Sequence, residues 1–444
     1  MTQKSEVLKA LSVIIDPDLN QDIVSLGFIQ NLTITQNNVS FVLKLTTPAC
    51  PVKEHFIKQA KSELKKLNWV NEVNITLAAN KVSSNQKLDG CKNIGSVIAV
   101  ASCKGGVGKS TVAVNLAYAI AQKGAKVGLF DADIYGPSFS LMMQIDSHTP
   151  SIKNNYLEPY EYEGVKLMSL SYLKTAEEDQ APAILRGPMV SQIISQLLSQ
   201  TQWGELDYLL IDMPPGTGDI HLTIAQLLQL RASVMVTSPQ KMALIDVMKG
   251  IEMFDTLNVP TVAAVENFSY LNINGQTMHP FGKGALKCIE QQYGFENTEK
   301  LPMDEEVSLS GDSGKPHILS YPDSDFSNKI HSIADKVIRE VAKLVIYGQN
   351  FPKVNVDKKL GILIKYDKQE GFHIDCVRLR NACICSHCRN EITNEQIYDI
   401  KNTPHDIYPL SMNPVGNYAL GINWSDGHSS LYPYKMLDTF KKEV

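Results

Sequence analysis

The segment Ser102-Cys-Lys-Gly-Gly-Val-Gly-Lys-Ser-Thr111 constrains this chain more than any other. It follows the apolar run Val97–Ala101 and opens a helical pattern from Ser110 to about Lys123. A glycine-rich turn between a buried strand and a helix lets backbone N–H groups curl around a phosphate, and the helix N-terminus adds its dipole. Lys109 is placed to reach the β and γ phosphates of a nucleotide, and Ser110 to ligate Mg²⁺. Gly105, Gly106, Val107, Gly108 and Thr111 complete the cradle. The strict pattern has glycine where this chain has Cys103, but the strand–turn–helix context is the one a phosphate loop needs. A glycine turn without a ligand is the weaker reading.

The surroundings support it. Val127–Phe130 reads as a strand ending in Asp131, and Tyr208–Ile211 as one ending in Asp212. Ser233–Thr237 and Thr261–Val265 add two more. Strands alternating with helices imply an α/β domain, a parallel sheet covered by helices on both faces. In such sheets ligands collect at the carboxyl ends of the strands. Asp212 is then placed to hold the Mg²⁺ shell, with Asp131 and Asp133 beside it. A lone aspartate there is often only a helix cap, so it is the convergence of three that favours the functional reading.

Two smaller units flank this domain. Residues 1–80 run α-β-β-α-β, with strands near Phe28–Ile34, Val39–Leu45 and Val73–Leu77, and make a small α+β unit. Residues 81–94 are polar and read as a linker, residues 95–350 hold the nucleotide domain, and residues 351–444 read as a small, mostly β module. Hydrophobic residues make up 43% and charged residues 20% of the 444, ample for more than one core. The net charge of −5 argues against a globally basic nucleic-acid binder. No apolar run reaches the roughly 18–20 residues of a membrane span, and Met1–Lys9 is too polar for a signal peptide. A soluble, cytoplasmic protein is expected, acting on neither membrane nor nucleic acid.

Eight cysteines are too few for a disulfide scaffold in a chain of this length. Cys383-Ile-Cys385-Ser-His-Cys388 has metal-ligand spacing, and a closed tetrahedral site needs a fourth donor. His387, Cys376 and the more distant His428 are the options. Cys50 stands before Pro51 at an expected helix start, where a thiol pKa falls. It is either a reactive or ligating thiolate or a packed cysteine.

Lys104-Gly-Gly-Val-Gly-Lys109, with its extra lysine early in the loop, resembles the deviant phosphate loop of the MinD, ParA and nitrogenase iron-protein class. Asp131-Ala-Asp-Ile-Tyr-Gly-Pro-Ser138, Asp212-Met-Pro-Pro-Gly-Thr-Gly-Asp219 and Thr237-Ser-Pro-Gln240 narrow the resemblance to the Mrp family of iron–sulfur ATPases. The N-terminal unit, with Asp16-Pro-Asp18 and Thr47-Pro-Ala-Cys50-Pro51, resembles the MIP18-type (DUF59) domain, and the last 90 or so residues resemble DUF971. That three-part order is similar to the chloroplast high-chlorophyll-fluorescence scaffolds and their bacterial relatives.

The resemblance implies a homodimer that binds and hydrolyses ATP with Mg²⁺ and passes an iron–sulfur cluster, expected to be 4Fe–4S, to apoproteins. Upstream cluster-assembly proteins would load it. It implies that Lys104 reaches the partner's nucleotide, that Asp133 positions the attacking water and that Asn267 contacts adenine. A second lysine in the loop would neutralise transition-state charge as an arginine finger does. Family members carry a Cys-x-x-Cys pair after that asparagine; here Ile273 and Gln276 stand at those positions, and neither ligates iron as a thiolate does. Cluster ligands must then come from elsewhere, with Cys50, Cys103 and Cys288 as candidates and buried packing as the other reading of each. The C-terminal module resembles the N-terminal domain of γ-butyrobetaine hydroxylases, which points to zinc on Cys383, Cys385, Cys388 and His428 ahead of an iron–sulfur role. The rival reading is a MinD- or ParA-type positioning ATPase. It wants a membrane helix or a basic surface, and the short, mixed-charge tail Met436–Val444 and the acidic composition count against it. A redox ATPase would want the missing cysteine pair.

Overall fold

The computed structural model describes residues 2–443 apart from 18, 20, 80–85, 87, 135, 137, 144–151, 154–155, 173–186, 217, 284–285, 288, 291–296, 348–351, 358–359, 367–369, 386, 390–394 and 416–418. Residues 81–85 and 87 of the expected linker, and Cys288, thus lie outside the described residues.

The N-terminal unit runs α1 (Gln3–Leu11), β1 (Ile29–Thr35), β2 (Asn38–Leu45), α2 (Lys53–Lys65) and β3 (Glu72–Ala79). Along β2 every second residue is buried, the signature of a sheet with one face on a core. Gln36 and Asn37 take positive φ, which closes the hairpin between β1 and β2. Val7, Leu11, Phe41, Leu43, Phe56 and Leu64 give this unit its own core.

The central unit starts with β4 (Ile94–Ala101) and α3 (Lys109–Gln122). There follow β5 (Val127–Asp131), β6 (Tyr160–Tyr162), β7 (Val165–Met168), α4 (Gly187–Gln200) and β8 (Leu206–Asp212). The rest is α5 (Asp219–Leu227), β9 (Leu230–Thr237), α6 (Lys241–Thr256), β10 (Thr261–Ile273), β11 (Gln276–Met278), β12 (Thr298–Pro302) and α7 (Asp325–Tyr347). The nine-stranded sheet has the order β6-β7-β5-β8-β4-β9-β10-β11, with β12 also paired to β10. It is parallel except at two places: β6 on β7 and β11 on β10 are antiparallel hairpins. The parallel sheet expected from the sequence is present, with an antiparallel hairpin at each edge. The reason is local, since each short connection reverses the chain.

The central strands are apolar on both sides because both faces are covered. Ile98 and Val100 pack with α3 and α7, whereas Val97 and Ala99 pack with α4 and α6. On α7, Ile330, Ile333, Ala334, Val337, Ile338 and Val341 recur at helical spacing and form one buried stripe.

The C-terminal unit has two antiparallel three-stranded sheets. One is β13 (Lys353–Asp357), β14 (Gly361–Lys365) and β15 (Phe372–Ile374), followed by α8 (Cys376–Asn381). The other is β16 (Pro409–Val415), β17 (Ala419–Trp424) and β18 (Ser429–Pro433), followed by α9 (Tyr434–Thr439). The sequence pattern did not signal α8, whose single turn and a half is too short to show a period. Asp375 caps it by accepting from the Arg378 N–H at 2.9 Å. Among the described residues no helix is long and apolar enough to cross a membrane.

Candidate functional site

The phosphate loop joins β4 to α3 at the carboxyl edge of the sheet, and β5 and β8 end beside it at Asp131 and Asp212. Gly106 and Gly108 take positive φ, so the loop curls in a way that a side chain would resist. At Gly108 a Cβ would also strike the Asn267 amide. Asn267 donates from Nδ2 to the Val107 carbonyl at 3.0 Å and so lies against the loop. Beside it is a cavity of about 510 Å³, lined by Thr111, Asn267, Phe268, Pro302, Met303 and Val307.

Lys109 is almost fully buried and paired with Asp212, which also accepts from Ser110 Oγ at 2.6 Å. The three side chains thus converge on one point. Asp131 is buried as well, and its oxygens accept from the Asp133 N–H at 3.0 Å, the Ser138 N–H at 3.2 Å and Ser169 Oγ at 3.0 Å. Burial raises its carboxyl well above the usual range, and the nearby charge of Asp212 adds to this. Burial also raises Asp212, against which Lys109 and Ser110 act. Asp133 is half-buried and accepts from the Gly136 N–H at 3.2 Å.

Lys104 points away from its own loop. Its Nζ lies 3.5 Å from Asp246 on α6. Sequence reasoning missed Asp246, and also Glu266, a buried carboxylate next to Asn267. Glu266 accepts from Ser269 Oγ at 2.5 Å and from the Leu286 N–H at 2.8 Å, tying the stretch of β10 that carries Asn267 to the segment at Leu286. Ile273 and Gln276 face each other across the β10–β11 turn, whose tip Asn274-Gly275 has positive φ throughout.

The cysteine cluster lies far along the chain, at the end of α8 and on the β17–β18 hairpin. Cys383, Cys385, Cys388 and His428 bring one donor atom each to within 4.8 Å of one another. The sulfurs lie 3.3, 3.4 and 3.6 Å from His428 Nε2. A tetrahedron with Zn–S near 2.3 Å and Zn–N near 2.05 Å has an S···N edge of about 3.6 Å. The donor set therefore fits one tetrahedral ion. Burial pushes the Cys383 thiol up to about 12 and lowers the His428 imidazole. Arg380, 2% exposed, donates from Nη1 to Cys388 Sγ at 3.5 Å and from Nε to Asp426 at 2.8 Å. Asp426 in turn accepts from the His428 N–H at 2.9 Å. His387 is exposed and Cys376 stands outside the cluster.

The remaining cysteines are dispersed. Cys103 packs against Gly250 of α6, where burial pushes its thiol up to about 11. Cys50 is buried beneath the N-terminal unit, and α2 starts at Lys53, beyond it. Among the described residues neither joins a group of three or more metal ligands.

A family model described as NUBPL iron-transfer P-loop NTPase matches residues 93–338. One described as iron-sulfur cluster assembly protein matches residues 4–77, and one described as gamma-butyrobetaine hydroxylase-like, N-terminal, matches residues 355–438. The chain is 45% identical over 452 residues to the chloroplastic Fe-S cluster assembly factor HCF101 of Arabidopsis thaliana, covering 100% of this chain and 84% of that one. It is 38% identical over 340 residues to the iron-sulfur cluster carrier protein of Deinococcus radiodurans, covering 76% of this chain and 95% of that one. A solved structure of a nucleotide-binding protein from Archaeoglobus fulgidus in complex with ADP is 33% identical, with a TM-score of 0.47, covering 54% of this chain and 93% of that one.

Proposed function

The chain belongs to the family of NUBPL iron-transfer P-loop NTPases, and on that premise we propose that it is an ATP-hydrolysing carrier of iron–sulfur clusters. The convergence of Lys109, Ser110 and Asp212 on the phosphate loop carries the nucleotide part of this reading.

Backbone N–H groups from Gly105 to Thr111 bind the phosphates, and the adjoining cavity with Asn267 takes the adenine. Lys109 exchanges Asp212 for the β and γ phosphates. Ser110, Asp131 and Asp212 would hold Mg²⁺, which would supply positive charge against the charge developing on the phosphates. Asp131 also fixes the turn that carries Asp133, whose carboxylate orients the attacking water. In a homodimer Lys104 leaves Asp246 for the partner's nucleotide, so closure of the dimer and hydrolysis become one event.

The cluster is cargo, taken from upstream assembly proteins and given to apo iron–sulfur proteins. Its candidate ligands are Cys50, Cys103 and Cys288. Zinc is resident in the C-terminal module on Cys383, Cys385, Cys388 and His428, because four donors on one small tetrahedron leave no room for a larger cluster. A cytoplasmic placement goes with this reading, because reducing compartments disfavour disulfides and none of the seven described cysteines is in one.

The test is anaerobic loading with iron and sulfide, followed by transfer to the apo form of a 4Fe–4S enzyme. Transfer should depend on Mg-ATP and fail with Lys109→Ala. Equal transfer with and without nucleotide would remove the proposal.

A further inference from the structure

The N-terminal unit is seated on the far ends of the two elements that build the phosphate site. α3 begins at Lys109 and spans 14 residues, about 21 Å. Just past its last turn, the Lys123 carbonyl accepts from Lys53 Nζ at 2.9 Å. β8 ends at Asp212, and four residues earlier, about 13 Å away, Tyr208 donates from its hydroxyl to Thr47 Oγ1 at 2.8 Å. The Thr47–Lys53 loop between these two anchors contains Cys50.

That loop is the plug of the seat. Ala49 is fully buried in the same core cluster as α3 and α7. Cys50 faces Ile338, Arg339 and Ala342 of α7 across a cavity of about 20 Å³, too small to admit a reagent. The contact is nonetheless narrow. Beside it a cleft of about 680 Å³ separates Thr46–Pro48 and Ala79 from the amino ends of β4 and β8 and the end of α7. A seat made by one loop next to an open cleft gives relative motion of the units as the default expectation.

At the other end, α3 and β8 are tied together by Lys109 and Ser110 on Asp212. Phosphate and Mg²⁺ compete for all three groups, so a bound nucleotide replaces these direct contacts with longer links through the ion and the phosphates. We propose that nucleotide binding loosens the seat of the N-terminal unit by letting α3 and β8 shift against each other, and that this uncovers Cys50. The two anchors sit on different elements, so a relative displacement strains one of them. The inference rests on the nucleotide reading of the phosphate loop. By linkage, whatever holds the N-terminal unit down also opposes nucleotide.

The full chain is pulsed with N-ethylmaleimide, and labelling of Cys50 is followed by peptide mass spectrometry. Cys91, fully buried in the central core, is the internal control for unfolding. Lys53→Ala should raise the Cys50 rate about fivefold, as the loss of one hydrogen bond implies, and leave Cys91 unchanged. Tyr208→Phe is the second variant and should act in the same direction. Wild-type protein saturated with a Mg-bound, non-hydrolysable ATP analogue should show a similar rise, with saturation checked separately by a fluorescent nucleotide. Binding of nucleotide with no change at Cys50 overturns the coupling and leaves the phosphate-loop reading intact. Absence of nucleotide binding removes both. A Cys50 rate that neither variant changes overturns the seat itself.

Discussion

The two groups of side chains proposed to hold metals are built in opposite ways. Ser110, Asp131 and Asp212 come from the ends of three different strands or the helix after one, spaced over a hundred residues. Each has a protein partner: Lys109 and Ser110 on Asp212, and Ser138, Ser169 and the Asp133 N–H on Asp131. Cys383, Cys385 and Cys388 come from one turn and His428 from one hairpin, and their donors face one another. Oxygen donors with alternative partners make a site that an ion enters and leaves with each nucleotide. Thiolates converging on an imidazole make a site that retains its ion. On the reading proposed above, the difference separates an exchangeable Mg²⁺ site from a resident zinc site within one chain.

Breaking the exchangeable site should have the largest effect. Lys109→Ala removes the charge that clamps the phosphates, and ATP turnover should fall by at least about 10³-fold. The C-terminal unit should keep its zinc, which metal analysis of the same preparation would show. Lys104→Ala comes next. Its role in trans predicts a loss of about 10³-fold in kcat with nucleotide affinity nearly unchanged. Equal loss of both, with the dimer intact by sedimentation, would argue for a role in cis. The resident site should respond more mildly to its surroundings. Arg380→Met removes the donor to Cys388 and one partner of Asp426, which holds the His428 backbone. Zinc release to a chromogenic chelator should quicken about 10–100-fold, and ATP turnover should not change. An unchanged release rate would leave Arg380 as packing alone.

The phosphate loop was legible because its meaning is local: the glycines, the lysine and the flanking strand and helix all lie within about 25 residues. Asp131 and Asp212 were legible as ends of apolar runs, since parallel strands place such ends on one edge. What the sequence did not carry is which distant groups meet. Asp246 is one exposed-looking acid on a helix until α6 folds beside Lys104. Arg380 reads as a surface charge, yet it is buried between Cys388 and Asp426. Cys50 read as a thiol at a helix start because Pro51 suggests one. The helix starts two residues later, and the cover over Cys50 comes from α7, nearly 300 residues downstream. Likewise Thr261–Val265 read as a five-residue strand. β10 continues to Ile273 because β12 pairs with it in parallel as far as Tyr270 and β11 then pairs antiparallel with Leu271–Ile273, a change of partner that periodicity does not record.

The central claim is that iron–sulfur cargo and zinc occupy different residues of this chain. Its most direct test is Mössbauer spectroscopy and zinc analysis of wild-type protein and Cys385→Ser after anaerobic loading with ⁵⁷Fe and sulfide. The account predicts about one zinc per wild-type chain, its loss from Cys385→Ser, and cluster spectra of equal intensity in both. A Cys385→Ser protein that keeps zinc but loses its cluster would contradict it, and would make the C-terminal cysteines the cargo site.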